Sequence, residues 1–317
     1  MNLLRKFKDR KILVTGGFGF IGKSLIKRIA PFTKQIFIID NLSFSRLDRS
    51  ILTFKNVLFI KSDVRNKNIY KKIPSVDFVY HLGAPSSIIL FNKNPSECID
   101  ITINGFLKVL EFCLEKKVEK FIFPSSGSVY GVSDNPFNEK IENPHPINIY
   151  GRTKLATEFI AKIYQDKLPI LGLRIFAGFG PEENHKNNFA SIPTIFLNDL
   201  LRNKNPIIYG DGNQKRDFVW IDDIVDALIS VSFNDLTGIL NVGSGISISF
   251  NEVLNIINKA LNKKVKAKYI DKPINYLENT KSDITLFEKI IGRKPVDPRI
   301  KIYEYAKSFA SKSKFLQ

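Results

Sequence analysis

The sequence predicts an α/β fold, in which a doubly wound parallel sheet carries helices on both faces. Over residues 1–125, short apolar runs rich in β-branched residues alternate with helical patterns, which is typical of parallel βαβ units. A glycine-rich turn at Thr15–Gly22 lies between the first apolar run and the first helix. The chain has 317 residues, of which 44% are apolar, so it can bury a large core in one or two domains.

Five segments carry the strand pattern, each a short apolar run as expected for a buried strand. They are Lys11–Val14, Ile36–Ile39, Val57–Ile60, Val76–Leu82 and Lys120–Phe123. Helices are predicted to begin near Gly19 and to run from about Ser96 to Lys116. Ligands of such sheets lie at the carboxyl ends of the strands, so the segments after each strand are the candidates for a site.

The glycine turn indicates dinucleotide binding. Gly16, Gly19 and Gly22 lie where a strand turns into a helix, so the backbone can approach a pyrophosphate at the helix N-terminus. Asp40 ends the second strand, 18 residues after Gly22, where a carboxylate can accept hydrogen bonds from both hydroxyls of an adenosine ribose. A tight turn without a ligand is the alternative interpretation of the glycines alone.

Two further strand ends carry polar residues. Asp63 could accept a hydrogen bond from an adenine amino group, with Val64 beside the ring, or it could cap a helix, and the two roles can coexist. His81 lies inside an apolar strand and is interpreted as a packed, hydrogen-bonded histidine. The three histidines and two cysteines have no metal-site spacing, so we expect no catalytic metal.

The candidate chemistry lies after the fifth strand. Ser126 follows that strand, and a helix opens around Ile149–Glu158 with Tyr150 and Lys154 four residues apart on one face. A phenol titrates near ~10, and a nearby ammonium, helped by an oxidised nicotinamide, would lower the pKa of Tyr150. Tyr150 could then remove a proton from a sugar hydroxyl while Ser126 hydrogen-bonds the same oxygen. An amphipathic helix that happens to carry Tyr and Lys is the alternative.

From about Lys11 to Phe309 the chain resembles the extended short-chain dehydrogenase/reductases, specifically the nucleotide-sugar epimerases, dehydratases and reductases. The motifs that carry the resemblance are Thr15–Gly22, Asp40–Leu42, His81–Ala84, Ser125–Gly131, Tyr150–Lys154, Leu173–Phe176, Gly210–Gly212 and Arg216–Val219. The resemblance implies a Rossmann-type fold in which Tyr150 is the general base, Lys154 holds the nicotinamide ribose and Ser126 orients the sugar hydroxyl. The acid at Asp40 implies NAD rather than NADP, although the basic residue Arg46, which would favour NADP, lies close by in the sequence.

The resemblance also implies two sets of contacts. Cofactor contacts are expected from Gly16, Gly19, Phe20, Ile21, Gly22, Asp40, Asn41, Asp63, Val64, Leu82, Ala84, Tyr150, Lys154 and Phe176. Substrate contacts are expected from Ser87, Ser126, Lys186 and Arg216.

Positions at which this chain differs from the family pattern indicate which subgroup of the family it resembles. The 4,6-dehydratases carry an acid where this chain has Gly127 or Ser128, and neither residue can act as an acid or base, so dehydration is disfavoured.

Ala177 replaces the asparagine that usually touches the substrate diphosphate in the family. The loop Gly180–Ser191 is similar to a stretch of the ADP-heptose 6-epimerases, in which the lysine matching Lys186 is a second catalytic base. A phosphate contact or a solvated loop lysine are the other interpretations of Lys186.

Arg216 is the expected anion anchor of the second half, because a guanidinium can grip a pyrophosphate with two parallel hydrogen bonds. An ion pair with Asp217 or Asp222 is the alternative. We predict helices at Ile192–Leu201 and Phe250–Leu261, a helix after Trp220 and a strand at Ile239–Gly243. The predicted domains are residues 1–176, to which 217–243 return, and a discontinuous substrate domain of 177–216 and 244–317.

Composition narrows the class of protein. The chain carries 48 basic and 31 acidic residues, a net charge of +17, which could suit nucleic acid or an anionic membrane surface. The basic residues are scattered without a nucleic-acid motif, so we expect no nucleic acid and only an attraction for anionic small molecules. No apolar run approaches the ~18 residues of a membrane helix. Cys98 and Cys113 are expected to be buried thiols, which indicates a reducing, cytoplasmic location.

The resulting hypothesis is an NAD-dependent epimerase of nucleotide-diphosphate sugars that works through a transient keto-sugar. C4 epimerisation comes first, and C6 epimerisation of a heptose is next. The main alternative is a nucleotide-sugar C4 dehydrogenase or keto-sugar reductase on the same scaffold. A redox-sensing or nucleic-acid-associated protein is the alternative from another class, but it would not need the Ser126, Tyr150 and Lys154 set. The resemblance implies a homodimer, because the family often dimerises through helices such as Ser96–Lys116 and Tyr150–Tyr164.

Overall fold

The computed structural model describes residues 2–133, 136–272 and 276–313. Its elements up to residue 163 are α1 (Asn2–Arg5), β1 (Lys11–Thr15), α2 (Phe20–Ile29), β2 (Gln35–Asp40), β3 (Val57–Lys61), α3 (Lys67–Tyr70), β4 (Phe78–His81), α4 (Ile88–Lys93), α5 (Pro95–Lys116), β5 (Lys120–Ser126) and α6 (Ile149–Ile163). The later elements are β6 (Ile170–Ile175), β7 (Ala177–Phe179), α7 (Ile192–Leu201), β8 (Ile207–Tyr209), β9 (Lys215–Trp220), α8 (Ile221–Val231), β10 (Gly238–Val242), β11 (Ser247–Ser249), α9 (Phe250–Leu261), β12 (Lys268–Ile270), α10 (Thr285–Ile291) and α11 (Pro298–Ser313).

The core of the described chain is a seven-stranded parallel sheet in the order β10-β6-β5-β4-β1-β2-β3. The strand order reverses between β1 and β4, where Thr15 lies opposite Ile39 on one side and His81 on the other. Open α/β sheets bind their ligands at such a switch point, outside the carboxyl ends of the strands. The predicted doubly wound parallel sheet is therefore confirmed.

Strand β1 shows why both faces of the sheet are covered. Ile12 and Val14 point into the core on one side of the sheet, and Leu13 points into the core on the other side. Successive side chains of a strand alternate between faces, so three consecutive buried apolar residues require helices on both sides. Helices α2 and α8 cover the first face, and α5 and α6 cover the second.

The rest of the second half surrounds a separate core. A three-stranded sheet of β11, β9 and β7 and a two-stranded sheet of β12 and β8 pack with α7, α9 and α11. Large aromatic side chains fill this core, with Phe179, Phe196, Phe218 and Phe250 almost fully buried. Strand β10 joins the central sheet beside β6, and α8 packs on α2. Helix α10 also packs on α8 and β10, and its Phe287 is buried in the first core.

These contacts guide the division of the chain. We propose that residues 221–243 belong with residues 1–176, as expected from the sequence, and that Thr285–Ile291 joins them. Residues 217–220, which were also expected there, lie on β9 in the other sheet, so we place them with the remaining parts of 177–216 and 244–317 in the smaller domain.

Some elements were not predicted. Strand β6 went unassigned although it is buried along its whole length, and helix α4 was not assigned either. Helix α4 is short and begins at Ser87, whose side chain accepts a hydrogen bond from Ile89 N at 3.2 Å. Both cysteines are buried and free, as expected. No helix in the described ranges has the length and apolar character needed to cross a membrane.

Candidate active site

The glycine turn between β1 and α2 is sterically restricted at two glycines. Gly16 has a φ of +67°, and a Cβ there would lie 2.5 Å from the Leu82 carbonyl oxygen. At Gly22 a Cβ would lie 2.3 Å from the Gly16 carbonyl oxygen. Gly19 is the N-cap residue of α2, and no side chain of the described chain caps that helix end. The first amides of α2 therefore remain available to an anion.

Asp40 lies at the end of β2, beside this turn. Its Oδ1 accepts hydrogen bonds from Leu42 N at 2.8 Å and Ser45 Oγ at 2.9 Å, and its Oδ2 accepts one from Phe18 N at 3.0 Å. A carboxylate offers about four acceptor positions, so room for a further donor remains on Oδ2. The side chain is oriented by the protein and lines the cavity, as an acceptor for a ribose hydroxyl requires.

Asp63 is placed differently from the expectation. Its carboxylate is gripped by Arg65, with Nε to Oδ1 at 2.9 Å and Nη2 to Oδ2 at 2.8 Å, and these hydrogen bonds lower the pKa of Asp63. Asp63 does not line the cavity, whereas Val64 does. The helix-cap alternative is also wrong, because Asn66 caps α3 by accepting from Asn68 N at 3.1 Å.

His81 is packed at the switch point. Its Nδ1 lies 2.8 Å from Thr15 Oγ1, which also accepts a hydrogen bond from Gly83 N at 3.1 Å. Burial, and secondarily the charge of Lys154, lowers the pKa of His81 to about 3, so the ring is neutral. This bond joins the ends of β1 and β4 and agrees with the interpretation of a packed histidine.

Ser126, Tyr150 and Lys154 come together at the end of β5. Asn148 caps α6 by accepting from Gly151 N at 2.8 Å, which places Tyr150 in the first turn of the helix. The Tyr150 hydroxyl is close enough to Ser126 for an interaction between the two side chains to lower the pKa of the phenol. Lys154 Nζ donates to Pro124 O at 3.1 Å and lies 6.0 Å from the centre of the Tyr150 ring. The three side chains therefore form one group facing the cavity.

The electrostatics of this group differ from the sequence-based expectation. Burial raises the pKa of Tyr150, and the interaction with Ser126 only partly opposes this effect. Burial also lowers the pKa of Lys154 to about 8. The Lys154 ammonium alone therefore does not produce a phenolate in the protein without its ligands, and further positive charge near Tyr150 is needed.

A buried ion pair positions the helix that carries Tyr150 and Lys154. Arg174 on β6 donates to Glu158 on α6 through Nε at 3.0 Å and Nη2 at 2.7 Å, and both side chains are 5% exposed. Ser125 Oγ also donates to Glu158, and Ser125 precedes Ser126 on β5. One carboxylate thus connects α6 to both neighbouring strands, next to the Ser126 hydroxyl.

Arg216 lies on β9 at the other end of the cavity. Its Nη1 donates to the carbonyls of Lys215 at 2.9 Å and Glu278 at 3.0 Å, and the guanidinium lies between the rings of Phe250 and Tyr276. Among the described residues, no carboxylate lies within ion-pair distance of it. Burial lowers its pKa, although an arginine remains charged.

The alternative ion pair of Arg216 is therefore wrong for the described chain. Asp222 pairs with Arg28 at 2.6 Å. Asp217 is buried and accepts hydrogen bonds from Ser244 and Ser282 instead. The positive charge of Arg216 is left to face the cavity.

Lys186 lies on the 3-10 segment Pro181–Phe189. Its Nζ is 4.5 Å from the centre of the Phe20 ring, at the start of α2, and 3.7 Å from Glu183 Oε2. Burial lowers the pKa of Lys186, and the charge of Glu183 opposes this effect. Lys186 thus lies close to the glycine turn, although it was interpreted from the sequence as a substrate residue.

A single cavity of about 1110 Å³ connects these groups. Pockets for one drug-sized molecule are typically about 300–1,000 Å³, so this cavity is slightly larger than the range usual for one such ligand. Every residue expected to contact cofactor or substrate lines it except Asp63. Sequence reasoning missed further lining residues, because they lie in segments without a periodic pattern. Examples are Phe44, Ser86, Asn148, Phe189, Tyr209 and Tyr276.

Comparison with known families decides the identity of this fold and site. The sequence model described as the NAD dependent epimerase/dehydratase family matches residues 12–243, which is most of the chain. This protein belongs to the NAD-dependent epimerase/dehydratase family. The resemblance inferred from the motifs is thereby confirmed.

Solved structures of this family are similar over nearly the whole chain. The UDP-N-acetylglucosamine 4-epimerase of Methanobrevibacter ruminantium, in complex with UDP-N-acetylmuramic acid, is 30% identical with a TM-score of 0.89, covering 96% of this chain and 99% of its own. The UDP-glucose 4-epimerase of Thermotoga maritima, with UDP-glucose, is 27% identical with a TM-score of 0.87, covering 97% and 100%. The UDP-glucose 4-epimerase of Thermus thermophilus, in complex with NAD, is 26% identical with a TM-score of 0.85, covering 94% and 98%.

The residues of this epimerase/dehydratase family member fit NAD. The uncapped start of α2 suits a pyrophosphate, and the Cβ clashes at Gly16 and Gly22 explain why the turn must be glycine-rich. The oriented Asp40 carboxylate suits ribose hydroxyls. Lys154 lines the same cavity beside Tyr150, where its ammonium could hold the nicotinamide ribose.

Proposed function

We propose that this protein is an NAD-dependent epimerase that inverts C4 of a nucleotide-diphosphate sugar through a transient keto-sugar. One observation carries the proposal. Ser126, Tyr150 and Lys154 line the same cavity as the uncapped glycine turn and a guanidinium that has no carboxylate partner among the described residues. A dinucleotide and a second, anionic ligand can therefore meet at one hydroxyl-bearing centre.

Tyr150 removes the proton of the C4 hydroxyl in this proposal, and Ser126 holds the same oxygen. When bound, the oxidised nicotinamide supplies the hydride acceptor and the positive charge that favours the phenolate. Lys154 would hold the nicotinamide ribose by hydrogen bonds, and its ammonium lies 6.0 Å from the centre of the Tyr150 ring. After the keto-sugar has turned over, Tyr150 returns the proton to the same oxygen as the carbonyl carbon is reduced on its opposite face.

Arg216 binds the diphosphate in this proposal. Only one nitrogen of its guanidinium is used by backbone carbonyls, so the remaining N–H groups can form paired hydrogen bonds to phosphate oxygens. Binding energy from this remote group holds the nucleotide while leaving the sugar free to rotate. Ala177 offers no polar side chain here, which gives Arg216 a larger share of the contacts.

Dehydration and C6 epimerisation fit the site less well. Gly127 and Ser128, which line the cavity after Ser126, carry no acid or base that could expel water from the sugar. Lys186 Nζ lies over the Phe20 ring at the start of α2, so we assign it to anion binding at the glycine turn rather than to a second catalytic base.

The reaction is tested by incubating the protein with UDP-, GDP- and ADP-sugars in heavy water. Product is followed for epimer ratio, keto-sugar and deuterium together. We expect epimerisation without deuterium uptake, because hydride leaves and returns on the same carbon. Deuterium next to a carbonyl would indicate enolisation and overturn the mechanism. A product with a changed oxidation state would instead support the dehydrogenase or reductase alternative.

Arg216→Met should raise the KM for the nucleotide sugar about 10- to 100-fold, because charged hydrogen bonds contribute about 1.5–3 kcal/mol each. Initial rates over a range of UDP-sugar concentrations measure this effect. Arg216→Lys, which keeps the charge without the paired geometry, should fall between Met and wild type. An unchanged KM in the Met variant, with normal NADH binding, would remove Arg216 from the substrate site.

We also propose a cytoplasmic homodimer, which the chain's surface and thiols support. Phe159 and Ile163 on α6 are 56% and 73% exposed, so the outer face of this helix can pack against a second copy. The two buried thiols suit a reducing compartment.

A further inference from the structure

Three charged residues from three separate elements meet beside the glycine turn. Lys27 on α2 has its Nζ 2.9 Å from Asp48 Oδ2 and 2.8 Å from Glu182 Oε1. Asp48 lies on the loop that follows β2, and Glu182 lies on the segment that follows β7. Lys23, one helical turn before Lys27, pairs with the other oxygen of Glu182 at 3.2 Å. We call the Asp48–Lys27–Glu182 set the α2 bridge.

Both segments that the α2 bridge joins line the cavity. The loop after β2 contributes Ser43–Arg46, directly after the ribose acceptor Asp40. The segment after β7 contributes residues 185–187 and reaches the start of α2 through Lys186 and Phe20. A dinucleotide that extends from Asp40 past the glycine turn would therefore lie beneath two loops, and the α2 bridge connects those loops outside it.

The segment after β7 is itself firmly anchored on its inner side. Glu183 is fully buried and accepts hydrogen bonds from Ser191 N at 2.9 Å and Thr194 Oγ1 at 2.6 Å. Glu182, its neighbour, turns outward to the two lysines. The segment thus has one attachment to the smaller domain and a second, ionic attachment to α2.

The charges of the α2 bridge and Lys23 balance, with two ammonium groups and two carboxylates. No charge is left over to bind a ligand phosphate, so the role of these groups is to join elements. Burial alone would lower the pKa of Lys27, but the hydrogen bonds that its ammonium donates to Glu182 and Asp48 outweigh burial and raise the pKa. Hydrogen bonds from Ser50 and Lys27 hold the pKa of Asp48 at about 2 against the opposing effect of burial. The raised pKa of Lys27 and the lowered pKa values of Asp48 and Glu182 keep the three groups of the α2 bridge ionised at neutral pH.

We propose that the α2 bridge is a latch that holds both loops over the bound dinucleotide and slows its release. The inference rests on the proposed function for the presence of NAD, and it assigns Lys27 as a positioning residue that touches neither cofactor nor substrate. A slow release suits a cofactor that is reduced and reoxidised within each turnover and does not need to exchange.

The dissociation rate tests the latch directly. Protein loaded with NADH is mixed with excess NAD, and the loss of bound nicotinamide fluorescence gives the release rate. Lys27→Met should release NADH about threefold to tenfold faster than wild type, as expected for loss of a partly exposed ion-pair network. Lys27→Arg should restore slow release. High salt should speed release from wild type and have a smaller effect on Lys27→Met, since at about 1 M the screening length falls to roughly 3 Å.

Two controls separate the latch from general damage. Lys301→Met removes an ion pair with Glu304 at 2.9 Å on α11, away from the cavity, and should leave the release rate unchanged. Glu182→Gln should reproduce Lys27→Met from the other side of the bridge. Wild-type release from both Lys27→Met and Glu182→Gln would overturn the latch while leaving the proposed function intact. A wild-type protein that binds NADH but epimerises no sugar would overturn the function and leave the latch standing.

Discussion

Tyr150→Phe is expected to lower kcat for epimerisation about 10²- to 10⁴-fold, the range typical for loss of a positioned general base. The variant loses the hydroxyl that interacts with Ser126 and would exchange the sugar proton, but it keeps the ring that packs on Phe91 at 5.3 Å. The fold should therefore persist, and the loss should appear in kcat rather than in NADH binding. Steady-state rates at saturating UDP-sugar and NAD measure it.

The matched control for this substitution is Tyr164→Phe. Tyr164 caps the far end of the same helix and does not line the cavity, so its hydroxyl is not expected to matter for the reaction. Wild-type kcat in Tyr150→Phe would contradict the proposed chemistry. Lower NADH affinity without a change in kcat would assign Tyr150 to cofactor binding alone.

Arg174→Met is expected to lower the free energy of unfolding by about 3–5 kcal/mol. The substitution leaves the Glu158 carboxylate buried among β5, β6 and α6 without its cation, and breaking a buried pair from one side typically costs this much. Urea unfolding followed by circular dichroism measures the loss. Activity should fall as well, because Glu158 attaches α6 to the strand that carries Ser126.

A double variant and a surface pair serve as controls for the buried pair. Replacing both partners, as Arg174→Met with Glu158→Met, should recover much of the stability, since two well-packed apolar groups can substitute for a buried ion pair. Arg299→Met removes a pair with Glu252 in which both side chains are about 40% exposed, and it should cost less than about 1 kcal/mol. Equal losses from Arg174→Met and Arg299→Met would disprove the special role of the buried pair.

Several elements were predictable because their signals are local. Helices α7 and α9 match their predicted bounds, and α9 shows why. Ser249 caps its first turn by accepting from Glu252 N at 3.1 Å, and Asn262 ends it in a left-handed conformation. Such caps are set by residues within a few positions of the helix end, so a sequence contains them in full.

Other features depended on contacts between distant segments. Asp63 was a reasonable adenine acceptor from its position after a strand, but Arg65 folds back onto it and extends to Glu97 and Asp100 on α5. Strand β6 was not predicted because the residues on either side of its six buried positions do not mark the ends of a strand. Only its pairing with β5 and β10 defines it as one.

The pKa of Tyr150 also depends on the folded chain and could not be predicted from the sequence alone. The i to i+4 spacing correctly places Lys154 beside Tyr150. The spacing cannot report how much water the folded chain removes from the phenol, and in the chain without its cofactor that desolvation raises the pKa of Tyr150.

The sequence by itself determined the alternating αβ architecture, the glycine turn and the catalytic spacing, since each depends on residues close together in the chain. Only the tertiary structure decided that Arg216 faces the cavity with no carboxylate partner among the described residues, that Arg174 and Glu158 hold α6, and that Lys27 joins two loops beside the glycine turn. The physical reason is that burial and ion pairing depend on which distant segments meet, and these contacts exist only after the chain has folded.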